Sequence, residues 1–311
     1  MDTRGHGPYG RKNSDCDWGK RRNWIPGDEN HKCNDPQNLL KSGAKVYMAS
    51  RDSPKSHDAI KRLKEETGKH ALYFLPIDLS DLRDVRKAAK EYLSKESTLD
   101  ILMNNAGVMA APADQLTKDG YDLQFGTNVL GHFHFTMLLL PALLATPNPR
   151  VINVSSRGHL FAPSSGFFWD KLKGPKKGTW IPGLNFIERY QLYGQSKLGN
   201  ILFSNELVRR YGDKGLIAIS VHPGVIRTDL GRNHNSLNRW VYWHLAQPVE
   251  YGALTQLYAA NVPDAKELSG KACSFDYLEP VAKVTTPSSL ATNQELAKKM
   301  WEYCEQELKE F

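Results

Sequence analysis

The stretch Leu99-Asp100-Ile101-Leu102-Met103-Asn104-Asn105-Ala106-Gly107 decides how this chain is read. Leu99–Met103 is a short apolar run, as a buried strand requires, and Asn-Asn-Ala-Gly breaks it into a turn. Outward from it, strand and helix patterns alternate. Upstream, Ala44–Ala49 reads as a strand. Ser56–Thr67 reads as a charged amphipathic helix closed by Gly68. His70–Ile77 is a strand, and Ser80 can cap a helix running to about Glu96. Downstream, Tyr121–Leu144 is a long apolar helix, Val151–Ser155 a strand, Tyr193–Tyr211 a helix and Ile217–His222 a strand. Glu250–Ala260 is a helix, Lys271–Asp276 the last strand and Asn293–Glu310 a charged closing helix.

Short apolar strands separated by helices of this length predict βαβ units. The expected class is α/β: a single Rossmann-type, doubly wound, mostly parallel sheet with helices on both faces. Ligands of such sheets bind at the carboxyl ends of the strands. With 311 residues, 40% hydrophobic and 24% charged, the chain can bury one sizeable core. The net charge is +7, but Lys and Arg are interleaved with Asp and Glu, so no nucleic-acid partner is expected. The densest basic cluster is Lys171, Lys173, Lys176 and Lys177. Cys16, Cys33, Cys273 and Cys304 form no CxxC pair, which fits a reduced, cytoplasmic setting and no metal site. No apolar leader or membrane anchor is visible, and Met137–Ala145 reads as part of a buried helix.

Four features recur in order at strand ends or on the helices that follow. They are Asn104-Asn105-Ala106-Gly107, Asn128 in the long helix, Val154-Ser155-Ser156, and Tyr193-Gly-Gln-Ser-Lys197 opening the next helix. Tyr193 and Lys197 are four apart and share a helix face. A free tyrosine has a pKa of ~10. A nearby ammonium favours the phenolate, which suits proton exchange with a carbonyl oxygen at neutral pH.

Together these features resemble the short-chain dehydrogenase/reductase family, over Lys41 to about Tyr277. The wording NVSSRGH, YGQSKLGNILF and VHPGVIRTDL is most similar to its retinol-dehydrogenase-like branch. The resemblance implies an oxidoreductase that moves a hydride between nicotinamide and an aldehyde, ketone or alcohol. It implies Tyr193 as acid/base and Lys197 on the nicotinamide ribose. Ser156, with Ser155 as the adjacent candidate, would sit on the substrate oxygen, and Asn128 would position a relay water. On the cofactor side it implies Asp78 and Leu79 at the adenine, with helix capping as the rival reading of Asp78. It places Asn105, Ala106 and Gly107 beside the dinucleotide, and Pro223, Gly224, Val225 and Thr228 over the carboxamide and phosphates.

Arg51 ends a strand where enzymes favouring NAD usually carry an acidic residue. An arginine there can pair a 2′-phosphate, so NADP(H) is the expected cofactor. The long segment 157–192 carries Phe161, Phe167, Phe168, Trp169, Trp180 and Phe186. It is expected to wall an apolar substrate pocket, with Trp240–Trp243 as a second wall. A homodimer through the helices of Asn128 and Tyr193 and a monomer are both open, and a role in secondary metabolism is compatible with the resemblance.

Residues 1–38 are the exception. The family opens with a strand and a glycine-rich turn, TGxxxGIG, that cradles the pyrophosphate, and neither is legible here. Back-translated from Asn13 to Ile25 and read one base later, Trp18-Gly19 and Trp24-Ile25 each force a glycine, six positions apart. The codons around them permit TAIVTGxxxGIG. The segment is therefore read as an aberrant stretch, out of frame with a first βαβ unit, or else as a divergent in-frame extension. The domain proper is 39–311. A catalytically inactive relative with a binding or regulatory role is the alternative function. A sugar-nucleotide epimerase fits less well, because Asn-Asn-Ala-Gly and the short stretch after Thr228 argue against it.

Overall fold

Alternate side chains along the strands enter two different apolar layers. Val46, Met48, Ile101, Met103, Ile152, Val154 and Ile219 join one layer. Their neighbours Tyr47, Ala49, Leu102, Val151 and Ala218 join the other. A period of two with both faces covered is what a central sheet between helices requires.

The computed structural model describes residues 23–26, 35–174, 185–228, 230, 244, 246–262, 265–269, 272–274 and 283–311. Its strands are β1 (Asn23–Pro26), β2 (Lys45–Ser50), β3 (Leu72–Pro76), β4 (Ile101–Asn104), β5 (Arg150–Val154), β6 (Ile217–His222), β7 (Ala272–Ser274) and β8 (Lys283–Thr285). They form one sheet in the order β3-β2-β1-β4-β5-β6-β7-β8. The first seven run parallel and β8 closes the edge antiparallel to β7. The described helices are α1 (Asp35–Lys41), α2 (Pro54–Thr67), α3 (Leu82–Lys95), α4 (Leu123–Leu144), α5 (Asn185–Tyr211), α6 (Val249–Asn261), α7 (Ala265–Leu268) and α8 (Gln294–Glu307). Leu39, Leu40, Leu63 and Ala259, from α1, α2 and α6, enter one layer. Val85, Phe133, Leu202 and Trp301, from α3, α4, α5 and α8, enter the other. Helix α4 is long and apolar enough to cross a membrane, yet 72% of that stretch is buried, as a core helix is.

After β3 the chain passes over β1 to reach β4, so the strand order reverses there. The crevice of a doubly wound sheet opens at such a switch point. A buried polar chain holds the register beside it. Asn104 Nδ2 donates to Thr136 Oγ1 (3.0 Å) and to Asn153 Oδ1 (2.8 Å), and Asn153 Nδ2 donates to Ser204 Oγ (2.9 Å).

Four expectations are corrected. The missing first strand is present, because Asn23–Pro26 pairs in parallel with both β2 and β4. A gap there would leave two rows of buried N–H and C=O groups unpaired, and Trp-Ile favours extended backbone. Residues 1–22 and 27–34, where the glycine-rich turn belongs, lie outside the described residues. Asp81, not Ser80, caps α3: its Oδ1 accepts from the backbone N–H of Arg83 (3.0 Å) and of Asp84 (3.2 Å). A carboxylate also suits the positive end of the helix dipole. Helix α5 begins at Asn185, not Tyr193, and its added turns are held by Glu188 pairing with Lys171 (2.7 Å) and Tyr190 meeting Phe161. The last strand, β8, was not legible, because its three residues pair only with the distant β7.

Trp301 tests how α8 docks. It is fully buried, with ring centroids 4.8 Å from Phe133 and 5.8 Å from Phe203, under the Arg210 guanidinium. Trp301→Ala is expected to cost about 3–5 kcal/mol, read as a lower urea midpoint. An unchanged midpoint would mean that α8 is not part of the cooperative core.

Candidate active site

The carboxyl ends of β4, β5 and β6 open into one cavity of about 600 Å³. Asn105 and Gly107 come from the turn after β4, and Ser155 and Ser156 from the end of β5. Pro223, Gly224, Val225 and Thr228 follow β6. Tyr193 and Lys197 enter from α5, both 5% exposed, with the Lys197 Nζ 5.8 Å from the Tyr193 ring centroid. The shared face expected from the four-residue spacing is therefore realised. Lys197 Nζ donates to the carbonyl of Val154 (2.8 Å), so the ammonium is held at the strand end beneath the cavity.

The two adjacent serines do different things. Ser155 Oγ donates to the carbonyl of Lys197 (2.7 Å) and ties α5 to β5. Ser156 Oγ accepts from the Gly158 N–H (3.0 Å), which leaves its own proton to be donated into the cavity. His159 staples this turn in place. It accepts from the Ser288 N–H at Nε2 (3.1 Å), so its Nδ1 donates to the Ser156 carbonyl (2.8 Å). Gly158 lets the Tyr193 ring approach closely: a Cβ there would lie 2.7 Å from Tyr193 Cε1.

Asn128 lies behind the cavity wall, fully buried, in the π-helical turn Gly126–Gly131 of α4. Single π turns inside α-helices are frequent at functional sites. Its Oδ1 accepts from the Val108 N–H (2.8 Å), and its Nδ2 donates to the Val108 carbonyl (2.9 Å) and to Ser196 Oγ (2.9 Å). The side chain is thus spent on joining the β4 turn to α5. One turn on, His132 places Nδ1 3.1 Å from the Asn128 carbonyl. Burial, helped by the Lys197 ammonium, lowers the His132 pKa to about 4, so the ring is neutral at physiological pH.

A model of short-chain dehydrogenases matches residues 36–166. A short-chain dehydrogenase/reductase of Armillaria gallica is 45% identical over 277 residues, 88% of this chain and 85% of the relative. The chain belongs to the short-chain dehydrogenase/reductase family. Retinol dehydrogenase 11 of Homo sapiens is 35% identical over 267 residues, 85% of this chain and 78% of that protein, so the retinol-dehydrogenase-like character read from the motifs holds. Among solved structures, an NADP active-site complex of Pseudomonas aeruginosa RhlG superposes with a TM-score of 0.64 at 21% identity, covering 84% of this chain and 97% of that one. An NADPH-bound carbonyl reductase from chicken fatty liver gives 0.60 at 18% identity, covering 86% and 99%. At those identities the two structures speak for the fold.

The lining around Gly107 and Lys197 fits the family's nicotinamide dinucleotide. Gly107 leaves room in front of the Lys197 ammonium, where a Cβ would lie 3.6 Å from Nζ. A buried carboxamide oxygen, Gln256 Oε1, has no hydrogen-bond partner beside it. Arg51, Asp78, Leu79 and Ala106 do not line the cavity. Arg51 and Asp78 stand just past β2 and β3, toward the far edge of the sheet. Asp78 Oδ1 accepts from Ser80 N–H (3.0 Å) and Oγ–H (2.7 Å), so it organises the turn before α3, while the capping that the rival reading gave it falls to Asp81.

The expected aromatic wall is corrected. Phe167 is buried in the core, and Trp169 packs on Phe167 and Tyr303 with the Lys299 ammonium over its ring. These rings face α8 because that helix must cover its own apolar stripe. Phe161 does line the cavity, joined by Leu160 and Tyr190. Trp180, the Phe186 side chain and Trp240–Trp243 lie outside the described residues, as do Lys176 and Lys177. Gly158, His132 and Gln256 had no sequence signal, since none stands in a spacing that the chemistry demands.

Gly158→Ala should push the Tyr193 ring off its position. Turnover is expected to fall on the order of 10²-fold, as small misplacements of a reacting group do, with NADPH binding retained. Wild-type turnover in that variant would show that the Tyr193 ring has room to spare.

Proposed function

We propose that this protein is an NADP(H)-dependent reductase or dehydrogenase acting on an apolar aldehyde, ketone or alcohol, with Tyr193 as the acid/base. The observation that carries this reading is the convergence of Tyr193, Lys197 and Ser156 on one cavity at the carboxyl ends of β4, β5 and β6. Bound NADP(H) supplies or accepts the hydride. The Tyr193 hydroxyl gives its proton to the carbonyl oxygen of the substrate, and Ser156 Oγ donates a hydrogen bond to the same atom. Lys197, pinned by Val154, presents its ammonium to the ribose hydroxyls and to the Tyr193 oxygen. Asn128 acts through position: it holds the turn carrying Gly107 against α5.

The walls support the apolar substrate. Leu160 and Phe161 are each 60% exposed at the cavity, and Val225 is 50% exposed. Exposed apolar side chains gathered at one opening mark a binding surface for apolar groups. Arg51 supports NADP(H) over NAD(H), as a bidentate partner for a 2′-phosphate.

A second reading is favoured by the N-terminal sequence. Between Pro26 and Asp35 stands one glycine, Gly27, where the family carries a glycine-rich cradle. A chain lacking that cradle loses backbone donors to the pyrophosphate, and the alternative is a catalytically inactive relative. We hold residues 1–38 to be an out-of-frame reading of the true first unit, in which the back-translated TAIVT, rather than Asn23–Pro26, would supply the central strand, and the transcript across codons 1–41 tests this. A message encoding TGxxxGIG in one frame supports the active enzyme. A message matching the chain as written supports the inactive one.

Tyr193→Phe is expected to abolish NADPH oxidation with aldehyde and ketone probes while leaving NADPH binding in place. Undiminished turnover would overturn the role of Tyr193. Arg51→Ala is expected to weaken NADPH binding by roughly tenfold, with NADH little changed. Equal effects on both cofactors would remove Arg51 from the 2′-phosphate.

A further inference from the structure

Helix α6 sends one polar side chain into the cavity that no motif marks. Gln256 is 2% exposed and lines the cavity together with Gly252, one turn earlier on the same face. Its Nε2 donates to Asn105 Oδ1 (3.1 Å), which fixes the orientation of the carboxamide. The other end, Oε1, is buried and has no partner. A buried acceptor left unsatisfied costs about 1–3 kcal/mol. Such an atom in a binding cavity calls for a ligand that brings the missing donor.

The chemistry narrows the donor. An amide oxygen accepts a hydrogen bond and has nothing to offer a phosphate anion. Gln256 is anchored to Asn105, two residues before Gly107. Gly107 in turn faces the Lys197 ammonium, with 3.6 Å from a Cβ built on it to Nζ. The orphaned oxygen therefore belongs to the nicotinamide half of the cavity. We infer that Gln256 is a cofactor-binding residue whose Oε1 accepts a hydrogen bond from a hydroxyl of the nicotinamide ribose, coupling α6 to the Asn105 turn when the dinucleotide binds. The inference rests on the proposed nicotinamide chemistry of the same cavity.

The test is direct binding, with the whole chain and two probes. Gln256→Met keeps the length of the side chain and removes both hydrogen-bonding ends. Isothermal titration of NADPH is expected to show a Kd raised about tenfold, the loss of one hydrogen bond in a dry site. Adenosine 2′,5′-bisphosphate, which has no nicotinamide half, is expected to bind the variant as it binds wild type, and this also reports that the variant is folded. An unchanged NADPH Kd would overturn the inference, as would an equal loss for both probes, which would leave Gln256 only a prop for Asn105. If wild type itself binds no NADPH, the proposed function falls and Gln256 falls with it. Wild-type binding with an indifferent Gln256→Met removes only the role of Gln256.

Discussion

The Asn128 carboxamide is the constraint on which the site depends. It sits in the one stretch of α4 wound as a π-helix, and it spends three hydrogen bonds on two other elements: both backbone groups of Val108 and the hydroxyl of Ser196. Ser196 passes the constraint on by donating to the Tyr193 carbonyl (2.8 Å). The turn after β4, the long apolar helix and the helix of Tyr193 and Lys197 are thus joined in a place where water cannot substitute. A buried amide with every bond made rigidifies its surroundings, and with one bond lost it becomes a liability. That is why a residue behind the cavity can govern groups that face into it.

Close backbone approach is the second constraint. A Cβ on Gly194 would lie 2.6 Å from Ala162 N and from Phe161 C, and a Cβ on Gly131 would lie 2.5 Å from the Leu79 carbonyl oxygen. Helix α5 therefore presses on the turn after β5, and α4 presses on the turn after β3. The turns that approach the site are gripped by helices rather than left to themselves. The aromatic segment after Ser156 obeys the same economy of space. Phe167 and Trp169 turn inward toward α8, and Leu160 and Phe161 are left at the opening.

The N-terminal stretch shows how strongly a sheet selects its own strands. Asn23–Pro26 carries no alternating pattern, yet it pairs on both sides at the centre of the sheet. The demand comes from β2 and β4, whose inner edges each need a partner once buried. Pairing needs only extended backbone, whereas cradling a pyrophosphate needs glycines at defined steps. A four-residue segment can satisfy the first demand without meeting the second.

Long elements with strong periodicity were legible from the residues: β2 to β6, α2, α3, α4 and α6 lie within a few residues of where their patterns put them. The chemical set was legible for a related reason. The proposed acid/base role of Tyr193 is favoured by a nearby cation, and Tyr193 and Lys197 stand one helical turn apart, on one face. What the residues alone could not decide involved partners distant in sequence. The choice of Asp81 over Ser80, the early start of α5, the strands β1 and β8, the inward turn of Trp169 and the separate tasks of Ser155 and Ser156 all rest on contacts across the fold. The sequence by itself determined the long periodic elements and the candidate groups they carry, because both follow from local spacing. Only the tertiary structure decided which of those side chains face the cavity and which are spent holding it, because that depends on what packs behind each one.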